Sequence, residues 1–422
     1  MKNKSLWLLI IILAVVGCFA VYASGVKIAY FENYSANFRR NIKGITDSIG
    51  IQLPKPVDEF LSKTPEPLSI EEKLEIIEQM EEKEREEKAA EIKTDEELPS
   101  ASSSKIIAVK NAYAAAYASY KSKLLCATDA YLVCYGKDGE EQWSADIQMA
   151  EPILKTAGNY ILAAEKNSNK VYLSSDKKKL WERATEDPIV SADVSENGDV
   201  VIITDKPHYK GTVSVIDKKG DVVFRWSSGK YEVIDADISS GARKLAVSLL
   251  NSENGADSKI LFFNLSESES SSSVDVADSI VFDIEFCGET LNAVADNKIM
   301  GVSAGGNISW TTDFDGRILH KYMIEDSGYK LCVFDNSNVS QINVLNGRGG
   351  VKSSFESQTF PEHVYISDGY LLFGKEHTIE FMTISEKNRK KYDCTRDIYN
   401  ILILDSKNVA VVYNSSIEFL RF

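Results

Sequence analysis

Histidine, methionine and proline are scarce in this 422-residue sequence, with 4, 6 and 9 copies. The sequence contains no HExxH pattern, nucleophile elbow, P-loop or dinucleotide fingerprint. It therefore offers no catalytic or metal-binding residue. The low proline count, set against 19 Tyr and 17 Phe, favours β-structure over a helical bundle. The four histidines, spaced as in loops and strand ends, are His208, His320, His363 and His377.

Cysteine is also sparse, with six copies and no CxxC pair. One cysteine lies in the apolar N-terminal run, which leaves an odd number and predicts no disulfide framework. We interpret the others as small buried hydrophobes. The six are Cys18, Cys126, Cys134, Cys287, Cys332 and Cys394.

A basic stripe is missing, so nucleic acid is not an expected partner. The formal net charge is −15, and residues 64–98 contribute −9 of it, with 14 acidic and 5 basic residues. Most of the negative charge therefore belongs to one short segment.

The N-terminus predicts a membrane anchor in residues 1–26. Leu6 to Ala23 is free of charge, and with the next three residues it is long enough to cross a hydrocarbon core of about 30 Å as a helix. Two alternatives remain open. The first is a lipoprotein, because Val15 to Cys18 loosely matches a bacterial lipobox, in which Cys18 would be lipidated. The second is a cleavable secretory signal that ends near Ala23. All three interpretations place the rest of the chain outside the cytoplasm, with the membrane as its first partner.

Two segments separate this anchor from the predicted domain. Residues 27–63 form a juxtamembrane segment, in which Phe38, Ile42, Ile45 and Ile49 recur at helical spacing. Residues 64–104 are predicted as an acidic helical linker, opened by a capping-box pattern at Ser69. The folded domain is expected to cover residues 105–422.

A repeat of about 41 residues dominates that domain. Turns rich in Gly, Asp, Asn and Ser precede apolar strands, and the steps between successive strands are 36, 40, 45, 46, 40, 40 and 38 residues. Four-stranded propeller blades repeat about every 40–45 residues. One strand position per repeat falls at residues 124, 160, 200, 245, 291, 331, 371 and 409.

The eight positions predict an all-β fold, an eight-bladed β-propeller. A turn followed by Trp143, Trp181, Trp226 or Trp310 marks the fourth strand of four repeats. The last repeat has only three strands, so the strand from Lys105 to Val109 is expected to supply the fourth and close the ring. Seven blades remain the alternative if the stretch from Ser252 to Asp278 is irregular.

Several segments carry a family resemblance. They are Lys137-Asp138-Gly139 with Trp143, Leu180-Trp181-Glu182, Asn197-Gly198, Tyr209 to Gly220, Lys244 to Ser248, Ile260 to Leu265 and Val411 to Asn414. On these residues the chain resembles the uncharacterised single-pass, membrane-anchored β-propeller proteins of Gram-positive bacteria, which are related to quinoprotein-like (PQQ-like) and WD40-like propellers. The resemblance covers the anchor and residues 105–422, and it implies architecture but no chemistry.

The blades also depart from those relatives. Quinoprotein blades carry Ala-x-Asp-x-x-Thr-Gly before Trp, and here only the Gly and the Trp remain. The His and the Trp-Asp dipeptide of WD40 blades are missing as well. No cofactor is therefore predicted.

The predicted first strands contain three acidic residues that are candidates for the central channel: Asp193, Asp235 and Asp237. They either face the central channel or bond backbone groups in a turn, which is the commoner role of such residues.

Two function classes follow from the sequence. The first is a non-enzymatic propeller that binds a protein or a cell-wall polymer near the membrane. The second is an enzyme or a small-molecule receptor of quinoprotein-like type at the channel mouth. Carboxylates and histidines converging at one channel end would favour the second class, and a polar channel with an apolar rim patch would favour the first.

Loops that interrupt the repeat are the predicted docking sites, because insertions in repeat proteins usually map to one face. The three candidates are residues 206–210, 251–259 and 266–273. The residues singled out in them are Pro207, His208, Tyr209, Asn254 and Ser270.

Overall fold

The computed structural model describes residues 101–422, with the exception of 240–243, 252–256, 337–338 and 358–359. These residues form eight four-stranded antiparallel sheets. The eight-bladed propeller is therefore confirmed, and the alternative of seven blades is wrong. The predicted anchor, juxtamembrane segment and most of the acidic linker lie outside the described residues. Within the part that is described, no helix is long and apolar enough to span a membrane.

The first four blades consist of strands β2–β17, and a short 3-10 helix at Ala112–Ala114 leads into them. Their bounds are β2 Ala116–Tyr120, β3 Lys123–Ala127, β4 Tyr131–Tyr135, β5 Glu141–Asp146, β6 Pro152–Ala157, β7 Tyr160–Glu165, β8 Lys170–Ser175, β9 Lys178–Ala184, β10 Ile189–Val194, β11 Val200–Thr204, β12 Thr212–Ile216, β13 Val222–Ser227, β14 Glu232–Ile238, β15 Lys244–Asn251, β16 Asp257–Asn264 and β17 Ser270–Val276.

The last four blades consist of strands β18–β32, with β1 added to the eighth. Their bounds are β18 Val281–Cys287, β19 Thr290–Ala295, β20 Lys298–Ser303, β21 Ile308–Asp313, β22 Ile318–Ile324, β23 Lys330–Asn336, β24 Val339–Leu345, β25 Val351–Ser357, β26 His363–Ser367, β27 Tyr370–Lys375, β28 Thr378–Thr383, β29 Lys390–Asp393, β30 Asn400–Ile403, β31 Asn408–Val412, β32 Ser416–Arg421 and β1 Ser102–Ala108.

The apolar strands that mark the sequence repeat are the second strands of the eight blades. In blade 3, all five residues of β11 are buried. A second strand is packed on both faces by neighbouring blades, so it reads as a continuous apolar run. The fourth strand lies at the outer edge, and β21 accordingly alternates between exposed and half-buried residues.

Blade 8 closes the ring with strands from both ends of the domain. Its strand order is β1-β32-β31-β30, with Lys105 opposite Phe419 and Ile107 opposite Ile417. The predicted closure is confirmed, although β1 begins at Ser102 and not at Lys105. The Nζ of Lys105 in blade 8 also lies 2.5 Å from the Oε1 of Glu140 in blade 1, so this ion pair joins the two blades that meet where the ring closes.

Tryptophans of the fourth strands pack against the next blade. Trp181 of blade 2 lies against Gly220, and Trp310 of blade 5 lies against Gly349. Both glycines stand in the turn between the third and fourth strands of the following blade, with φ of +92° and +75°. The structure thus explains why a turn glycine and a Trp recur together in the sequence.

Strand alternation separates the connections onto two faces. The loops between second and third strands share a face with the connections between blades, and we call this the upper face. The turns between first and second strands, and between third and fourth strands, lie on the lower face. The first strands surround the central channel, as in propellers generally.

Candidate functional site in the central channel

Carboxylates of blade 4 bond the exposed backbone edge of blade 5. The Oδ2 of Asp235 accepts the N–H of Ile284 at 2.9 Å, and the Oδ2 of Asp237 accepts the N–H of Phe286 at 2.6 Å. A first strand is an edge strand, whose outer N–H groups have no partner in their own sheet. Two aspartates at alternate positions of β14 therefore match two amides at alternate positions of β18.

Both sequence interpretations of these aspartates hold in part. Asp193 and Asp237 do bond local backbone, because each accepts the N–H of the following residue at 2.7 Å. They also join a cluster that faces the channel. The Nζ of Lys155 in blade 2 lies 3.0 Å from the Oδ2 of Asp193 in blade 3.

The cluster continues into blades 5 and 6. Asp283 and Glu285 stand on β18, and burial, followed by the charge of Asp283, raises the pKa of Tyr322 on β22. Asp283 also lies close enough to Asp235 for its charge to raise the pKa of Asp235, in addition to the effect of burial. The cluster thus links the first strands of five successive blades.

Enclosure raises the pKa of most of these carboxyl groups. Burial, followed by the charge of Asp193, raises the pKa of Asp237 to about 7. Burial also raises the pKa of Glu285 and Asp235 well above the usual carboxyl range, with Asp237 and Asp283 as the respective main charged neighbours. The attraction of Asp193 raises the pKa of Lys155.

The channel still admits water to this cluster. The side chain of Lys155 is 50% exposed and that of Asp193 is 33% exposed. The groups are therefore surrounded by protein but reachable by solvent and by small solutes. One ammonium faces five carboxyl groups, and the excess negative charge is relieved by protons taken up from solvent.

A cavity of about 370 Å³ opens at the upper mouth of the channel, in blades 6–8. Tyr322 belongs both to its wall and to the carboxyl cluster. The residues that line it are His320, Lys321, Tyr322, Glu362, His363, Val364 and Asn400.

The two histidines of this cavity are held in place by neighbours. The Nε2 of His363 lies 3.0 Å from the carbonyl oxygen of Ile398. Burial lowers the pKa of His363, and the charge of Lys321 lowers it further. A carbonyl can only accept, so the neutral ring donates from Nε2 and keeps a free lone pair on Nδ1. The ring of His320 stands edge-on to Phe360, 5.3 Å between centroids.

Across the described residues, no group of three or more His, Cys, Asp or Glu side chains is arranged to hold a metal ion. The five cysteines in this part of the chain are free thiols, and four of them are buried.

The predicted docking residues separate onto different parts of the propeller. Pro207, His208 and Tyr209 lie on the upper face, between β11 and β12. Asn254 lies outside the described residues, in the connection between β15 and β16. Ser270 is not in a loop: it is the first residue of β17, opposite Phe263, because the Ser-rich stretch forms the outer strand of blade 4.

Lys155, Asp283, Glu285 and Tyr322 were missed by the sequence reasoning. The sequence contains a signal for Asp283 and Glu285, because they are the charged residues of the otherwise apolar strand β18, Val-Phe-Asp-Ile-Glu-Phe-Cys. The same alternation occurs in β14. Charged residues at alternate positions of first strands therefore mark the channel.

Solved structures that are similar to this chain are also propellers. BamB from Moraxella catarrhalis aligns with a TM-score of 0.52 and 10% identity, over 76% of this chain and 100% of its own. The C-terminal WD40 domain of Sif2 aligns with a TM-score of 0.53 and 10% identity, over 77% of this chain and 99% of its own. Quinohemoprotein alcohol dehydrogenase from Comamonas testosteroni aligns with a TM-score of 0.50 and 9% identity, over 75% of this chain and 76% of its own. At these identities the likeness shows the fold alone.

No curated protein matches the sequence. Residues 94–422 match a family described as a family of unknown function, DUF5711. The match covers the propeller and most of the chain. The protein therefore belongs to the DUF5711 family.

Proposed function

We propose that this protein is a non-enzymatic binding propeller, which holds a protein or cell-envelope partner on its upper face. The observation that carries the proposal is the placement of exposed large apolar side chains. Among the described residues, those not on outermost strands all stand on the upper face: Tyr113, Tyr131, Val190, Tyr209, Ile318 and Tyr399.

Exposed tyrosines are suited to partner binding, since aromatic residues are enriched at protein interfaces and supply much of their binding energy. Tyr113 is 55% exposed and Tyr399 is 46% exposed, and their rings contact each other with centroids 5.9 Å apart. This pair presents a preformed apolar patch.

The loop that carries Tyr209 is fixed to the neighbouring blade. The carbonyl of Lys210 accepts the N–H of Val233 at 2.8 Å, and its Nζ lies 2.5 Å from Glu232. The Nζ of Lys206 lies 5.2 Å from the centre of the Tyr209 ring. A loop held in this way loses little conformational freedom when a partner docks.

A substitution experiment tests this use of the upper face. Tyr113→Ser, Tyr209→Ser and Tyr399→Ser, combined in the full chain, should abolish crosslinking of the protein to its partner in intact cells. The matched control replaces Val222, Ile308 and Val351 with Ser; these three residues are similarly exposed but lie on outermost strands. Equal crosslinking by both variants would refute the proposal.

The proposal includes a place at the outer surface of the cytoplasmic membrane. Its support is the uncharged run from Leu6 to Ala23. Protease added to cells without an outer wall should degrade the propeller. A propeller protected from that protease would reverse the orientation, and release of the protein by Cys18→Ser would establish the lipoprotein alternative.

A second candidate function is that of a small-molecule receptor at the channel mouth. The cavity of about 370 Å³ favours it, because it lies within the usual size range of ligand pockets. One carboxylate, Glu362, and two histidines, His320 and His363, also line this cavity. The two functions are compatible, since the cavity opens on the upper face.

A further inference from the structure

The cavity at the channel mouth presents donors that suit an anionic group. The ammonium of Lys321 forms no ion pair within the described part of the chain. The Oδ1 of Asn400 accepts the N–H of Ile401 at 2.8 Å, which directs the amide NH₂ of Asn400 away from its own backbone. An ammonium and an amide NH₂ together match the oxygens of a carboxylate.

The same cavity presents acceptors that suit an ammonium. Glu362 is an exposed carboxylate in the wall, and the Nδ1 lone pair of neutral His363 is an acceptor beside it. Tyr322, which also lines the cavity, stands near Asp283 of the channel cluster, whose charge helps to raise the pKa of Tyr322 after burial. The cavity therefore offers an ammonium a charged acceptor, Glu362, and a neutral acceptor, His363.

These features restrict the ligand. A simple anion would leave Glu362 without a partner, and a simple cation would leave Lys321 without one. The volume of about 370 Å³ suits a molecule of a few to a dozen or so heavy atoms. A compact zwitterion satisfies both ends of the cavity at once.

We propose that this cavity binds a small zwitterion carrying an ammonium and a carboxylate, of the class of the free amino acids. The carboxylate contacts Lys321 and Asn400, and the ammonium contacts Glu362 and points toward Tyr322. The inference rests on the receptor candidate above and names its ligand class. It is independent of partner docking through Tyr113, Tyr209 and Tyr399.

Calorimetric titration of the full-length protein with each of the twenty L-amino acids tests this proposal. Acetate, ethylammonium and D-glucose serve as probes of the anion alone, the cation alone and a neutral polyol. At least one amino acid should bind, and more tightly than acetate or ethylammonium. No binding by any amino acid at about millimolar concentration would overturn the inference.

Variants then locate the site. Lys321→Met and Glu362→Gln should each weaken amino-acid binding by about tenfold or more, since the first removes a charged hydrogen-bond donor to the carboxylate and the second removes the charge that pairs with the ammonium. Lys352→Met and Glu356→Gln are matched controls on the outermost strand of blade 6, where both residues are exposed, and should leave binding unchanged. Undiminished binding by Lys321→Met and Glu362→Gln would contradict the assignment. Binding of D-glucose without any amino acid would also overturn it, while leaving a receptor at the channel mouth in place.

Discussion

At the scale of single residues, the channel shows how position sets the chemistry of a side chain. Asp235 and Asp237 lie two residues apart, and so do the amides of Ile284 and Phe286 that they bond. The same placement concentrates carboxyl groups around one lysine. These residues therefore stabilise a blade interface and at the same time make its stability dependent on pH.

The first prediction concerns that pH dependence. Raised pKa values mean that the folded protein binds these protons more tightly than the unfolded chain, so protonation stabilises the fold. This stability is present at mildly acidic pH and is lost as the pH rises through the folded-state values, near 7 for Asp237. The melting temperature should be higher at about pH 5.5 than at about pH 8.5.

Glu285→Gln isolates the contribution of one carboxyl group. It should change little at about pH 5.5 and raise the melting temperature at about pH 8.5, because Gln stays neutral there. Glu289→Gln, in the exposed turn after β18, is the control and should keep the dependence of the unchanged protein. A melting temperature that rises with pH over this interval would contradict the account.

The second prediction concerns the contact between Gly349 and Trp310. A Cβ at Gly349 would lie 2.3 Å from the Trp310 ring, whereas one at Gly316 would meet no atom within 4 Å. Their φ angles are nearly equal, +75° and +78°, so backbone strain is matched. Gly316→Ala should cost about 1–2 kcal/mol, and Gly349→Ala about 1–3 kcal/mol more from overpacking.

Denaturant unfolding of both variants measures this difference. Equal destabilisation would show that the close approach of Trp310 and Gly349 does not contribute to blade packing.

At the scale of elements, ring closure depends on β1. The Oγ of Ser104 donates to the carbonyl of Phe419 at 2.8 Å, and Phe419 is fully buried beneath this pairing. Without β1, strand β32 becomes an unpaired edge, and such edges promote aggregation.

Deletion of residues 102–108 from the full chain is therefore the third prediction. The shortened protein should aggregate or melt at a much lower temperature. Deletion of residues 92–98 removes an equal length from the predicted acidic linker and should leave the melting temperature unchanged. If the two deletions behave alike, β1 does not close the ring.

The sequence predicted elements well wherever burial imposes a pattern. Second strands such as β11 are packed on both faces, so their apolar runs revealed the repeat and the number of blades. The Ser-rich strand β17 was missed because an outermost strand buries little and needs few apolar residues. The channel cluster was only partly predicted, since the partners of Asp235 and Asp237 lie 49 residues further along the chain.

At the scale of the whole molecule, the two faces differ in what they present to solvent. The upper face carries the exposed tyrosines and the cavity at the channel mouth. The lower face carries tight turns, several of which fit against a neighbouring blade, such as the turns containing Gly220 and Gly349. Packing thus accounts for many lower-face residues, whereas the exposed tyrosines have no comparable structural explanation.

Docking of a partner on the upper face can be measured by site-specific photo-crosslinking in cells. A photo-reactive amino acid is placed at Tyr399 or Tyr209 on the upper face, or at Glu289 on the lower face, in the full-length protein. We expect the two upper positions to yield the same discrete adduct, with a protein or an envelope polymer, and Glu289 to yield none. An adduct from Glu289 without one from Tyr399 or Tyr209 would contradict this expectation.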